Sequence, residues 1–322
     1  LSIRRQRQMC IRDSFFSIIY NVLAANLRAI GDAYTPLIFL IISAVLNVVL
    51  DILCVKYMDM GVSGAAVATI VSQAVSAVLC FGYTWKKYAF LHFNIKDFVP
   101  KKEFLKPMLE GGLSMGLMNS LVSFGTLSLQ TAINTLGTNT IVAHAATRKL
   151  TNLYMLPFSV LGTTMATYSG QNYGAGRYDR IRAGLKVSLG CSYIWCVIVL
   201  IASYTVCPYL IVAITDTNIR EVIDTACLYQ RFDTCFYLLV PTITILRNSL
   251  QGMGDHITPI FSSGLELMGK VLIAMLLTPV IGYWGIIVSE PIVWAVMVIP
   301  LIVSMVKRMK RAFVNEKIRN EK

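Results

Sequence analysis

Asn47 and Asp51 stand four residues apart within one apolar run, and Thr69 lies inside the next. A spacing of four puts the amide and the carboxylate on one face of a helix. With Pro36 at the start of its helix, Asp51 falls roughly 22 Å along the axis at 1.5 Å per residue, in the outer half of a membrane. Thr69 lies roughly 12 Å from the outer end of its own helix. A carboxylate, an amide oxygen and a hydroxyl at similar depth are hard oxygen ligands, suited to Na⁺ or to a proton. The bland alternative is that Asp51 snorkels to the outer interface near Lys56. Apart from Na⁺ at Asp51, no metal is expected. Glu266 and Lys270 are also four apart and read as a self-neutralising ion pair, a brace or gate. Glu290, just before Pro291, has no partner evident in the sequence; contact with a substrate and a bond to a neighbouring helix are equally open. Arg148 follows His144 by one turn, and a lone histidine is more often a packing residue than a proton relay. Arg231 and Asp233 read as solvated groups near an outer helix end.

These groups need helices to hold them, and the composition supplies helices that cross a membrane. Hydrophobic residues make up 56% of the 322 and charged residues 14%, against about 25% charge in soluble domains. Mean hydropathy is +0.63. A polytopic, all-α membrane protein follows. The net charge of +12 does not point to nucleic acid, because its placement follows the positive-inside rule. Seven of the eight cysteines lie in or at the ends of apolar runs without CxxC spacing, and read as packing residues. Residues 1–14 are Arg-rich, lack the apolar stretch of a signal peptide, resemble translated adapter sequence, and read as a non-native leader.

Runs long enough to span a bilayer predict a partial helix at 15–30, then helices at 36–55, 61–83, 105–136, 141–168, 184–214, 222–250, 259–279 and 283–306. The 84–107 connection, the 177–186 loop, Arg247 and the tail after Lys307 are basic and alternate with connections poor in Lys and Arg. That alternation puts the basic side and the C-terminus in the cytoplasm of a multi-pass cell-membrane protein.

Residues 27–36, LRAIGDAYTP, return as residues 250–259, LQGMGDHITP, at an offset of 223. The chain is therefore read as two versions of one unit, a habit of membrane transporters. The second copy holds six helices from about residue 104 to 306. The same offset implies that on the order of 120 residues of the first copy, three helices and part of a fourth, lie upstream. The expected whole is two six-helix bundles related by a pseudo-two-fold repeat, the first incomplete here. Within each repeat, Gly suits a helix C-terminus, with Thr35 and Thr258 as N-caps and Pro36 and Pro259 as first helical residues. Residues 170–177, GQNYGAGR, are Gly-rich but lack the Gly-Lys-Ser/Thr and preceding strand of a P-loop; they read as a connection at the lipid headgroups.

The two G-D-x-x-T-P turns, the G-Q-N-x-G-A-G-R loop and residues 61–69, GVSGAAVAT, together resemble the multidrug and toxic compound extrusion (MATE) family, over helices four to twelve of its twelve. The resemblance implies an antiporter, not an enzyme, coupled to Na⁺ or H⁺ and without a further cofactor. It would export amphipathic, often cationic, compounds by alternating access around a central cleft. It also implies that Asn47, Asp51 and Thr69 belong to a cation site in the N-lobe, and that Arg148 faces the cleft. Glu266, Lys270 and Glu290 are the remaining gate or cleft candidates. Some branches use an acidic pair in helices seven and ten, but the helix-seven position here, around Val122, is apolar. Domains are set at 15–98 for the N-lobe remnant, 99–306 for the C-lobe and 307–322 for a basic cytoplasmic tail. Partners are the small-molecule substrate and membrane lipid, with no nucleic acid, and the protein is read as a monomer. A flippase for lipid-linked precursors from the related superfamily is the rival; an intramembrane enzyme is disfavoured, since His92, His144 and His256 lie on separate segments.

Overall fold

The computed structural model describes residues 2–92 and 101–320, with side chains for 15–92 and 101–310 apart from Phe104. Every regular element among the described residues is helical. The chain divides into two compact units, residues 1–100 and 101–322.

The first unit holds α1 (Ser2–Ala29), α2 (Tyr34–Ile52) and α3 (Gly61–Lys87). A π-helical turn, Leu53–Tyr57, extends α2, and a short 3₁₀ turn, Ala89–Leu91, follows α3. Helix α1 starts at Ser2 rather than at Phe15, so the segment read as a leader continues the same helix. Its Arg, Gln and Met residues are good helix formers, and no Gly or Pro interrupts the run before Gly31. Tyr20, Ala24 and Leu27 of α1 pack on Ala77 and Cys80 of α3.

The second unit contains α4 (Lys102–Ile133), α5 (Thr138–Gly174), α6 (Tyr178–Thr205), α7 (Cys207–Thr215) and α8 (Arg220–Cys235). It continues with α9 (Leu239–Gly252), α10 (Ile257–Leu276), α11 (Thr278–Ile281) and α12 (Tyr283–Asn320). Three runs expected to be single helices, 184–214, 222–250 and 259–279, are each broken. Pro208, Pro241 and Pro279 fall in the first turn of the restarted helix. A missing N–H does no harm there, whereas it would leave a gap in a continuous ladder. Helix α12 carries on through residues 307–320 without a break.

Five described helices are long and apolar enough to cross a membrane by length and composition: Tyr34–Tyr57, Gly61–Lys87, Tyr178–Thr205, Ile257–Leu276 and Tyr283–Lys310. Helices α4 and α5 are longer than these spans but interleave more Ser and Thr among their apolar residues. Leu37, Ile41, Val45, Val48 and Ile52 form an exposed apolar stripe along α2. A stripe of that size needs hydrocarbon around it, and the chain is a multi-pass membrane protein.

Helices α5 and α9 cross with their backbones nearly touching. A Cβ built on Gly252 would stand 2.1 Å from the Ala166 carbonyl oxygen, and one on Gly162 would stand 2.9 Å from Thr244 and Asn248. Small residues permit such contact where hydrophobic pressure between helices is weak. Gly170 belongs to this crossing, 3.1 Å from the Gly252 carbonyl oxygen by the same construction. Because α5 runs to Gly174, most of the Gly-rich segment is helix, and only residues 175–177 form the connection.

The repeated turns share one geometry. Gly31 and Gly254 have φ of 95° and 77°, the region glycine enters without strain. Asp32 N–H bonds back to Leu27 O, and Asp255 N–H to Leu250 O, closing the helix as a Schellman turn. The capping role assigned to Thr35 and Thr258 belongs instead to the aspartates. Asp32 Oδ1 accepts the Thr35 N–H at 3.1 Å, and Asp255 Oδ1 accepts the Thr258 N–H at 3.1 Å. Helices α2 and α10 therefore start at Tyr34 and Ile257, ahead of the prolines. The ionised carboxylate wins because it accepts a charge-assisted bond and is free to take more.

Each aspartate also reaches another helix. Asp32 Oδ2 accepts from the hydroxyls of Thr35, Tyr83 and Tyr88, and Lys87 is 3.9 Å away. Asp255 Oδ2 accepts from Thr258 and Ser304 hydroxyls and from Arg308 Nε at 3.2 Å. Burial opposes the charge on each, but these donors outweigh it and hold both carboxyls below their ordinary range.

Candidate functional site

In the first unit, two contacts set the register of α2 against α3. Ser43 Oγ donates to the Ser72 carbonyl at 2.7 Å. Near the other end, a Cβ on Gly64 would meet Cys54 Cβ at 2.9 Å. In an antiparallel pair anchored this way, Asn47 and Thr69 lie at the same level between the anchors. Asn47 follows Ser43 by one turn, and Asp51 follows Asn47 by one more, so both turn toward α3.

The polar atoms there are incompletely used. Asn47 Nδ2 and Asp51 Oδ1 are buried and have no hydrogen-bond partner among the described residues. Thr69 Oγ1 donates to Ala65 O at 2.9 Å, which leaves its lone pairs open as acceptors. The three groups occupy one packed helix pair without bonding to one another. A buried polar atom without a partner costs about 1–3 kcal/mol.

The second unit buries a line of alternating charges. Arg148 Nη1 (α5) is 3.4 Å from Glu290 Oε1 (α12), and the same oxygen is 3.4 Å from Lys270 Nζ (α10). Lys270 Nζ is 2.9 Å from Glu266 Oε1, and Glu266 Oε2 is 3.7 Å from Arg247 Nη2 (α9). Glu266, Lys270 and Glu290 are at most 6% exposed. Each glutamate lies between two cations, and four helices are tied together. Glu290 thus has two partners that its local sequence did not reveal.

Arg247 was not among the candidates, because its basic character matched a cytoplasmic connection. It lies instead inside α9, five residues before the helix ends at Gly252, with its side chain 12% exposed. Its apolar neighbours Ile245 and Leu246 were the available signal. Asp233, expected to be solvated, is 1% exposed, and its Oδ1 has no partner among the described residues. Arg231 is partly buried; it bonds to the Ser203 carbonyl and stands 5.5 Å from the centre of the Tyr204 ring. Helix α8 ends at Cys235, two residues after Asp233. His144 is buried, with Nδ1 3.3 Å from the Tyr283 hydroxyl and edge-on contacts to Tyr229 and Tyr283.

Comparison with known proteins agrees with this architecture. The chain is 32% identical over 162 residues to the probable multidrug resistance protein YpnP of Bacillus subtilis, covering 50% of this chain and 36% of the relative. It is 24% identical over 294 residues to the probable multidrug resistance protein YoeA of the same organism, covering 87% and 62%. The chain thus spans between about a third and three fifths of these relatives. A crystal structure of MATE in the bent conformation superposes with a TM-score of 0.86 at 19% identity, covering 96% of this chain and 69% of that one. The MatE family profile matches residues 115–284, more than half of the chain, and this all-α membrane protein belongs to the MatE family of transporters, not to an enzyme family.

Proposed function

We propose that this chain forms part of a multidrug exporter in the cell membrane, working by antiport against Na⁺ or H⁺. The observation that carries the reading is Asp51 Oδ1, buried without a partner among the described residues on the face of α2 turned toward α3. A carboxylate oxygen buried without a donor among the described residues is stabilised by a proton or a cation beside it, and the amide and hydroxyl oxygens of Asn47 and Thr69 would supply further hard ligands. An ion held there favours one packing of α2 on α3. If that packing has the lower affinity for drug, ion binding and drug release are linked in both directions.

The relatives' printed names support a small-molecule drug as the exported substrate. Amphipathic, often cationic, compounds are the class proposed. Basic residues on alternate connections favour a cytoplasmic C-terminus, and a monomer suffices for this mechanism. The charged line in the second unit serves as a brace, because its carboxylates are already paired with Arg148, Lys270 and Arg247.

The test is efflux of a cationic dye from cells expressing the transporter. Asp51→Asn is expected to abolish the part of efflux that depends on Na⁺ or on a proton gradient, with expression unchanged. Unchanged ion-dependent efflux in that variant refutes the assignment.

A further inference from the structure

Cys207 opens α7 and Cys227 lies midway along α8, 20 positions later. Their sulfur atoms are 3.1 Å apart, beyond the bond length of about 2.05 Å but near enough for side-chain rotation to close the gap. The two are at matched depth in an antiparallel hairpin whose turn is made by residues 216–219. Each is about eight residues from that turn, or roughly 12 Å at 1.5 Å per residue. Cys207 is fully buried and Cys227 is 4% exposed. Cys227 nonetheless forms part of the wall of a crevice of about 470 Å³, together with Pro208, Asp224 and Arg231. Asp224 and Arg231 give this crevice a charged wall. Spacing in sequence gave no sign of the pair, since folding alone brings the residues together.

We propose that Cys207 and Cys227 are a modification site, closed to an intramolecular disulfide by a disulfide-bearing thiol oxidant. The Cys227 thiolate, which faces the crevice, attacks one sulfur of the oxidant, forms a mixed disulfide and expels one thiolate. The Cys207 thiolate then attacks the Cys227 sulfur and expels the second. Two protons and two electrons leave the cysteines, and the oxidant departs as two thiols. The bond fixes α7 to α8, the helix that carries buried Gln230 and Asp233. In the topology proposed above this hairpin is on the outer side, where oxidation is favoured in compartments kept oxidising.

The experiment treats the purified full chain with oxidised glutathione, then denatures, alkylates and digests it for mass spectrometry. The expected product is a Cys207–Cys227 cross-linked peptide, both sulfurs protected from alkylation, and this protection lost after reduction. The exposed Cys191 and Cys235 serve as internal references and remain outside the bridge. In Cys207→Ser the reaction stops at a glutathione adduct on Cys227. Three results overturn the proposal: a wild-type protein that stops at the adduct, a bridge to Cys191 or Cys235, or no reaction at Cys227 in both wild type and variant.

Discussion

Offsetting the chain by 223 places α1, α2 and α3 of the first unit onto α9, α10 and α12 of the second, and the π turn after α2 onto α11. The two sets share the glycine turn and the aspartate clamp, but their buried interiors differ. Where the second unit has Arg247, Glu266, Lys270 and Glu290, the first has Ala24, Ser43, Asn47 and Val67. Where the first has Asp51, the second has Ala274. At these aligned positions the second copy pairs its buried charges internally and so holds helices together, while Asp233 Oδ1, outside that line, has no partner among the described residues. The first copy leaves Asn47 Nδ2 and Asp51 Oδ1 without partners among the described residues. The same backbone supports both, so at the aligned positions of α2 and α10 the copies differ in whether the buried charge is already neutralised from within.

The contrast breaks most readily at Lys270. Lys270→Met leaves Glu266 with Arg247 at 3.7 Å and Glu290 with Arg148 at 3.4 Å, and breaking a buried pair costs about 3–5 kcal/mol. The expected outcome is a clear drop in the thermal unfolding midpoint of the purified protein. Asp51→Asn, measured alongside, is expected to shift stability by about 1 kcal/mol or less, because no donor among the described residues bonds its buried Oδ1. Equal losses in the two variants would erase the distinction between a braced and an open copy.

The clamps are the next test, and here the copies are expected to agree. Asp255→Asn and Asp32→Asn each remove charge-assisted bonds worth about 1.5–3 kcal/mol. The Asp255 change should cost more, because Arg308 lies 3.2 Å from it while Lys87 lies 3.9 Å from Asp32. Both carboxyls are held below their unfolded value. Their contribution is therefore complete above the ordinary aspartate range and is lost as pH falls through the folded value. Stability measured from neutral to acid pH should decline in wild type and be flatter in the double asparagine variant. A smaller effect comes from Gly31→Ala and Gly254→Ala, each about 1 kcal/mol for forcing a side chain into positive φ, read by the same unfolding assay.

Much of the fold was legible because bilayer thickness dictates run length and the repeat fixes which helices correspond. Every expected apolar run contains a helix. The breaks at Pro208, Pro241 and Pro279 were hidden because proline in a first turn costs nothing, so hydropathy stays continuous across it. In the clamps, the Asp and the Thr are both good capping types, and only geometry shows that Asp32 and Asp255 take the N–H. The i, i+4 pairs Asn47–Asp51 and Glu266–Lys270 could be read directly. The partners of Glu290, the burial of Asp233 and the Cys207–Cys227 contact could not, since each depends on helices distant in sequence.

The open copy is tested most directly by dye binding to the purified transporter at a series of Na⁺ concentrations and pH values. Wild-type affinity for a cationic dye should fall as the coupling ion, Na⁺ or H⁺, becomes more abundant, while in Asp51→Asn it should be independent of both. Ion-dependent affinity that persists in Asp51→Asn would contradict a coupling site at Asn47, Asp51 and Thr69.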